Sequence, residues 1–454
     1  MLVQGTLEHD ARVRKSARTL AGAGFDVHVL GAVWKGASYV PADPPDDFEL
    51  RVVRVLPRRL VQQRHRAAAK KERLETRLQR LRKQAHELAD ANGTGGLSRR
   101  LRRAAVERRR IRTRKKLNDA RRREKKLIAR TKTPRSSNDP LHLAAYEAAW
   151  WPHVRRLRPD VVHVHSWSGL GTARRAARDG ARWIFDVHDH PLDGLSEDPA
   201  VRDRVTRQIA EHAMQADVVI TVSQGLADDL VADLGLPRPP ALVHNTPPRA
   251  HGSAPDPGLR AAAGVARDVP LLVYAGALNR MRRLEVVLAA LALLGDVHLA
   301  LVASHSDWRL EKLLEQAGDL GVEDRVHAVP RVAFESVVPF IAEADVAVHP
   351  LSREPAGDIA LPNKLFEYLH AGLPMVVSDS PTMADFVLRH RLGAVAPLDD
   401  VGAWAEAIRR TLAAPPYREH RFEEWQRLKD EWSWEHQGEI LVGIYRELLA
   451  SRSR

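Results

Sequence analysis

The chain has 454 residues, 44% of them hydrophobic, so it is long enough for two α/β domains of roughly 200 residues each. It contains no cysteine, which excludes a disulfide framework and a zinc–thiolate site and is typical of a reducing compartment. The net charge of +13 is unevenly spread, because residues 58–135 hold 30 Lys and Arg against 7 Asp and Glu and the rest of the chain is acidic. These 78 residues are called the basic segment below.

The apolar stretches are too short or too interrupted to cross a bilayer. The longest, residues 286–303, contains Gly295, Asp296 and His298, and the N-terminus has no long apolar run after its basic residues. We therefore expect a cytoplasmic protein without a membrane span.

The first half of the chain alternates short β-rich runs with helical patterns, which indicates parallel βαβ units. The predicted strands are 27–30, 52–55, 161–165, 183–186 and 218–222, and the predicted helices include 11–23, 143–157 and 201–214. The alternation predicts one doubly wound domain over residues 1–245.

Residues 243–258 are rich in Pro, Gly and Ser, as is typical of a linker, and the strand pattern restarts after them. Predicted strands at 271–275, 298–302, 346–349 and 375–378 favour a second doubly wound domain, residues 246–412. We expect residues 413–454 to form a helical segment that packs back on the first domain.

The basic segment predicts a helical hairpin inserted in the first domain. An apolar seam repeats at helical spacing, a turn cluster "ANGTGG" follows at residues 91–96, and a second helix is predicted over 97–130. The seam consists of Leu74, Leu78, Leu81, Ala85 and Leu88. Such a hairpin is attracted to polyanions, either anionic lipid headgroups or nucleic acid phosphates. The alternative is a solvated arm without a partner.

The stretch "LPNKLFEYLHAGLP" predicts a helix that begins near Asn363, just beyond strand 346–349. Its free amide groups and positive dipole end suit an anion, and Lys364 is poorly placed against that dipole unless a phosphate binds there. Glu367, one turn further on, could accept two hydrogen bonds from a ribose. Phosphate and ribose together indicate a nucleotide; the alternative is a surface helix with an i, i+3 ion pair.

The same stretch, extended to "LPNKLFEYLHAGLPMVVSD", resembles the nucleotide-sugar signature of GT-B glycosyltransferases of the family 4 type (glycosyl transferases group 1). Further matches follow in chain order: "HDARVRKSARTLAGAGFDVHVL", "PDVVHVHSW", "FDVHDH", "ITVSQGLADDL", "LVHNTP" and "LVYAGALNRMRRLEVVLAAL". The resemblance implies two Rossmann-like domains that face a cleft, and it covers nearly all of the chain outside the basic segment.

Two positions depart from the family pattern. Many relatives carry a second glutamate eight residues before the one that matches Glu367, and here that position is Ile359, next to Asp358. Relatives often hold the diphosphate with an arginine and a lysine after the first strand of the second domain, and Arg282 aligns best with this role. An arginine suits phosphate because its planar fork binds two oxygens.

The resemblance implies transfer of a sugar from a UDP- or GDP-sugar to a glycan or lipid-linked acceptor, with retention and without an obligatory metal. The composition, rich in Arg and Ala, is typical of a GC-rich bacterial genome, so we expect an acceptor of the bacterial cell envelope. The catalytic residues that the resemblance implies are His188, Arg282 and Lys364, and the donor-binding residues that it implies are Gly276, Asn363, Leu365, Phe366 and Glu367. Asp10, Arg12 and His165 are expected on the acceptor side. We expect His163 and His165 on opposite faces of their strand, with His165 toward the cleft.

Two other functions fit parts of the sequence. Histidine and aspartate at strand ends could make a metal-dependent hydrolase, using His163, His165, Asp186 and His188. The basic segment could make a nucleic-acid-binding protein, but it contains no aromatic residue for base stacking, so we expect no nucleic acid partner. Docking of this segment on an anionic membrane would place the enzyme peripherally on the inner face of the cell membrane.

Overall fold

The computed structural model describes residues 1–5, 10–33, 48–55, 70–71, 73–81, 84, 97–130, 143–191, 199–250, 252–304, 308–414 and 421–451. These residues form two parallel β-sheets, each covered by helices, which confirms the α/β class and the two doubly wound domains.

The first sheet has seven parallel strands within the described residues, in the order β3-β2-β1-β4-β5-β6-β7. The strands are β1 Leu2–Gln4, β2 His28–Val33, β3 Glu49–Arg54, β4 Val161–Val164, β5 Arg182–Val187, β6 Val218–Thr221 and β7 Ala241–Leu242. The helices are α1 Ala11–Gly22, α2 Leu97–Arg130, α3 Leu143–Leu157, α4 Leu170–Arg178, α5 Pro199–Ala213 and α6 Gln224–Leu234, with a 3-10 turn at Trp167–Gly169. Leu2 pairs with Leu30 on one side and Val164 on the other, so the strand order reverses between β1 and β4.

The second sheet has six parallel strands in its described part, in the order β10-β9-β8-β11-β12-β13. The strands are β8 Leu271–Ala275, β9 His298–Ala303, β10 Val326–Pro330, β11 Val346–His349, β12 Met375–Ser378 and β13 Gly393–Ala396. The helices are α7 Leu259–Ala263, α8 Leu284–Ala292, α9 Trp308–Asp319, α10 Val337–Ile341, α11 Pro355–Asp358, α12 Asn363–Ala371, α13 Pro381–Arg389 and α14 Val401–Ala413. Short 3-10 turns lie at Arg280–Arg282, Glu323–Arg325 and Phe334–Ser336. Its strand order reverses between β8 and β11.

The core explains why these runs become strands. Strands of a parallel sheet are covered on both faces, so they read as continuous apolar runs rather than alternating ones. All of β8 and all of β11 are buried, including the terminal His349. Helix α12 turns Leu365 and Phe366 into the same core.

The described part of the basic segment is helical at 70–71, 73–81 and 84 and through α2. Arg121 pairs with Glu75 at 2.9 Å, and Leu78, Leu81 and Leu117 are buried. The ion pair joins the two helical stretches, while the predicted turn at 91–96 lies outside the described residues.

Two further helices complete the chain, α15 Phe422–Glu431 and α16 Trp434–Ala450. Trp425 of α15 donates to the Leu369 carbonyl of the second domain at 2.6 Å, whereas Trp434 of α16 donates to Thr19 of α1 at 2.8 Å. The chain passes between the domains twice, in the linker at residues 243–258 and at the junction of α15 with α16. These two connecting segments are joined, because the Trp434 amide donates to the Pro247 carbonyl at 2.8 Å. Among the described helices, none is both long and apolar enough to cross a membrane.

Candidate active site

The two points where strand order reverses locate the site. In open parallel sheets, ligands bind beyond the carboxyl ends of the strands at such a switch point. In the first sheet His165 follows β4 there and Asp10 caps the start of α1; in the second, Gly276 follows β8 and His349 ends β11. The sequence-predicted residues therefore collect at these two strand ends.

The start of α12 carries the predicted nucleotide residues. Lys364 Nζ lies 2.7 Å from Glu367 Oε2, with side chains 21% and 4% exposed. The i, i+3 ion pair of the simpler alternative is thus present, but the glutamate is buried, unlike one on a surface helix. Asn363 is the first residue of the helix, and Leu365 and Phe366 point into the core, so their side chains serve packing.

Arg282 lies opposite α12 in a 3-10 turn after β8. Its Nη1 donates to His349 Nε2 at 3.0 Å, and since arginine can only donate, that histidine nitrogen accepts. Burial lowers the pKa of His349 well below its usual value, and the nearby charges of Arg282 and Lys364 lower it further. Gly276 donates its amide to the Val302 carbonyl at 3.2 Å, which ties the start of this loop to β9.

A buried network centred on Asp186 lies at the corresponding end of the first sheet. Arg12 donates to both Asp186 oxygens at 2.9 Å and to the Val243 carbonyl at 2.7 Å, and it is only 2% exposed. Burial by itself raises the pKa of Asp186, but Arg12 and the histidines around it outweigh burial and hold that pKa well below its usual value. The guanidinium of Arg12 is therefore engaged inside the first domain.

Three histidines surround Asp186. His163 lies 3.3 Å from Asp186 Oδ2 and 2.9 Å from the Tyr445 hydroxyl, and His165 Nδ1 lies 3.2 Å from His188 Nε2. The expectation that His163 and His165 face opposite ways is wrong: their rings stack with centroids 4.1 Å apart, because residues two apart on a strand share a face. Burial lowers the pKa of both rings, which favours their neutral forms.

His188 is the histidine of this group that reaches solvent. Its side chain is 21% exposed, while its Nε2 lies 3.5 Å from Asp186 Oδ2. The ring is held by one nitrogen, which leaves the other for a substrate. Asp10 caps α1 by accepting from the Val13 amide at 3.1 Å.

The metal-site alternative has a geometric basis. Ligand atoms of His163, His165 and Asp186 lie within 4.8 Å of one another. Both Asp186 oxygens, however, already accept from Arg12, whose positive charge repels a metal ion at the same carboxylate. The arrangement fits a hydrogen-bonded network around a compensated carboxylate better than a metal centre.

Lys15 is a site neighbour that the sequence did not indicate. Its Nζ donates to Asn245 Oδ1 at 2.9 Å and to the Thr246 carbonyl, and it lies 4.5 Å from the Trp434 ring centroid. Burial, reinforced by Arg12 and opposed by carboxylates that include Glu367, lowers its pKa to about 7. A lysine on the otherwise ordinary pattern of α1 gives no sequence signal for this position.

Ile359, at the position of the missing glutamate, joins the two domains. Its carbonyl accepts from Ser223 Oγ at 3.3 Å, and its side chain packs on the core of the first domain. Asp358 instead pairs with Arg353 at 2.7 Å. The structure thus gives Ile359 an apolar partner in the first domain.

Comparison with known families decides the relationship. A family model described as "Glycosyl transferases group 1" matches residues 269–414, and one described as "Glycosyl transferase 4-like domain" matches residues 91–246. The chain belongs to the group 1 glycosyltransferases. The two matches cover the later part of the first domain and most of the second, and the prediction of a nucleotide-sugar-dependent transferase is confirmed.

Individual relatives agree with this family. A D-inositol 3-phosphate glycosyltransferase of Geodermatophilus obscurus is 30% identical over 332 residues, covering 67% of this chain and 71% of the relative. A glycogen synthase of Mycobacterium tuberculosis is 26% identical over 311 residues, covering 64% and 69%. The group 1 assignment therefore rests on similarity over about two thirds of the chain rather than on a single motif.

Solved structures show the same GT-B fold. Sucrose-phosphate synthase from Thermosynechococcus elongatus aligns with a TM-score of 0.64 at 17% identity, covering 99% of each chain. The alpha,alpha-trehalose-phosphate synthase (UDP-forming) from Burkholderia xenovorans aligns with a TM-score of 0.61 at 14% identity, again covering 99% of each. At these identities the likeness concerns the fold alone.

Proposed function

We propose that this group 1 glycosyltransferase moves a sugar from a UDP- or GDP-sugar to a glycan or lipid-linked acceptor of the bacterial cell envelope. The anomeric configuration is retained and no metal ion is obligatory. The observation that carries the donor assignment is the ion pair of the partly exposed Lys364 with the buried Glu367 at the start of α12, with Arg282 at the neighbouring strand end.

Each donor residue has a separate role. Glu367 accepts hydrogen bonds from the ribose hydroxyls, because an ionised carboxylate is an acceptor with four lone-pair positions. Lys364, now held by Glu367, and Arg282 bind the diphosphate together with the first free amides of α12, at Asn363 and Lys364. Gly276 is the third kind of donor residue, because it lies directly after β8 at the carboxyl end of the sheet.

The chemical demand on the site is electrostatic. Negative charge grows on the diphosphate as the glycosidic bond breaks, and fixed cations that face it stabilise the transition state more than the ground state. Arg282, Lys364 and the dipole of α12 supply positive charge that a divalent cation supplies in other transferases. This supports chemistry that is independent of metal.

The acceptor side lies in the first domain. His188, held through Nε2 by His165 and Asp186, presents its other ring nitrogen to the donor sugar or the acceptor. Asp10 is the second acceptor-side candidate. Arg12 and His165 support these residues from inside the domain and do not contact the acceptor, since both are buried in the Asp186 network.

The basic segment is proposed to bind anionic lipid and so place the enzyme peripherally at the inner face of the cell membrane. Several cations of α2 are exposed around the buried Leu117: Arg108, Arg109, Arg112, Arg114, Lys115 and Lys116. Each cation near an anionic surface adds about 1 kcal/mol of attraction. A surface-bound enzyme would meet a lipid-linked acceptor there.

Product analysis tests the proposal. The protein is incubated in EDTA with UDP- and GDP-sugars and with oligosaccharide, lipid-linked and inositol phosphate acceptors, and the product is examined by proton NMR. We expect a glycoside with the anomeric configuration of the donor. Inverted product, or activity only after a divalent metal is restored, would contradict the retaining or the metal-independent part respectively.

A further inference from the structure

We infer that His349 is a positioning residue: as a neutral hydrogen-bond acceptor at the end of β11, it aims the Arg282 guanidinium at the donor diphosphate. This rests on the proposed function, which assigns Arg282 to the diphosphate. The direct observation is the 3.0 Å contact between Arg282 Nη1 and His349 Nε2 at the switch point of the second sheet.

The contact with Arg282 determines the protonation state of His349. The guanidinium carries donors only, so His349 Nε2 must be unprotonated and the ring proton must be on Nδ1. A protonated ring would place two positive charges in contact in a buried site, with Lys364 as a third charge nearby. The neutral ring with an Nδ1 proton is therefore the form that can hold Arg282.

The ring has little freedom to leave this position. His349 is fully buried, stacks on Tyr274 at 5.8 Å between centroids and meets Tyr368 edge-on at 6.3 Å. The Tyr274 hydroxyl donates to the Ala277 carbonyl at 2.8 Å, and the Tyr368 hydroxyl accepts from the Ala275 amide at 3.4 Å. The two tyrosines thus fix the histidine and also tie it to the backbone that leads to Arg282.

Fixing Arg282 matters because it is otherwise a long side chain on a short turn. An arginine that is already oriented loses less side-chain freedom when it binds phosphate. Loss of this orientation should therefore weaken binding of the diphosphate and leave binding of the nucleoside part of the donor unchanged. The ratio of diphosphate to monophosphate affinity isolates this contribution.

Three variants test the role. His349→Phe keeps an aromatic ring but removes the acceptor, and His349→Gln restores an acceptor oxygen at similar reach. His327→Phe is the matched control. His327 lies in the same sheet but at the amino end of β10, whereas the site lies at the carboxyl ends of the strands, and it stacks on His298 rather than on a site residue. Calorimetry would measure binding of UDP, UMP, GDP and GMP to each protein.

For the nucleotide that binds, we expect His349→Phe to lower the diphosphate-to-monophosphate affinity ratio about tenfold. His349→Gln should stay within about threefold of wild type, and His327→Phe should match wild type. An unchanged ratio in His349→Phe, or an equal loss in His349→Gln, overturns the positioning role. Wild-type protein that binds none of the four nucleotides removes the proposed function, and this inference falls with it.

A measurement on the unmodified protein covers the case in which His349→Phe does not fold. Histidine nitrogen NMR, with the His349 signal identified by its loss in His349→Gln, reports which ring nitrogen carries the proton. We expect a neutral ring protonated at Nδ1 from pH 8 to pH 6. A ring protonated at Nε2, or a charged ring in this range, overturns the inference.

Discussion

Lys15 should give the folded protein a distinctive dependence on pH. Its amine lies between α1 and both passages that connect the domains, where Asn245 and the Thr246 carbonyl accept its hydrogen bonds. Burial lowers its pKa to about 7 from an ordinary 10.5. Replacing it by methionine keeps an unbranched apolar stem and removes the titrating group.

The sign follows from proton binding. Between the two pKa values the unfolded chain binds more protons at this lysine than the folded chain, so stability rises as pH rises. The free-energy cost of burying the charged Lys15 amine is fully present below pH 7 and disappears toward pH 10.5. Linkage with these two pKa values gives Lys15 a contribution of about 2 kcal/mol of added stability between pH 7 and pH 9.

Urea denaturation followed by tryptophan fluorescence at pH 7, 8 and 9 measures the effect. The change in stability with pH is compared within each protein, so the lost hydrogen bonds of Lys15→Met do not enter. Burial also lowers the pKa of the Met1 amine to about 5 from an ordinary 8.0, so part of the pH dependence remains in every variant. We expect the gain to be about 2 kcal/mol smaller in Lys15→Met than in wild type, while the exposed control Lys312→Met keeps all of it. Parallel pH profiles for wild type and Lys15→Met would refute the assigned burial.

The remaining predictions concern the donor site and the basic segment. Glu367→Gln keeps the shape of the buried side chain but loses a charge-assisted acceptor, so calorimetry should show donor binding weaker by about 1.5 to 3 kcal/mol; an unchanged affinity in folded protein would exclude the ribose role. Arg282→Ala and Lys364→Ala should each lower kcat more than they raise KM in steady-state kinetics, and a pure rise in KM would make them ground-state anchors. Deleting residues 61–133 should abolish sedimentation with anionic vesicles at low salt and leave nucleotide binding intact, because the proposed donor-site residues lie outside the deleted segment. Raised salt should release the full-length protein from the vesicles, because exposed charges are screened over about 8 Å at physiological ionic strength. Equal sedimentation of the two proteins would leave the segment as a solvated arm.

The fold was predictable wherever a strand is a run of β-branched and other apolar residues. The runs at 271–275, 346–349 and 375–378 match β8, β11 and β12 at both ends. Four strands were missed: β1, β7, β10 and β13. β1 and β7 have three and two residues, and β10 and β13 contain His, Pro or Gly, so their pairing with neighbouring strands outweighs weak local preference.

The site was predictable where function is concentrated in one contiguous stretch. "PNKLFE" carries the helix start, the lysine and the glutamate together, and in the structure the lysine and the glutamate form an ion pair at that helix start. Lys15 and His349 were not found, because their environment comes from contacts distant in sequence: Trp434 for the lysine and Arg282 for the histidine. The stacking of His163 on His165 is consistent with strand geometry, because side chains two residues apart on a strand share a face.

Hydrogen exchange with and without a saturating nucleoside diphosphate tests the central claim most directly, since it locates the bound nucleotide on the chain. The account predicts slower amide exchange at residues 276–283 and 363–371, the turn of Arg282 and the helix of Glu367. Protection confined to residues 58–135 would mean that the basic segment simply attracts a polyanion, and it would contradict the donor site.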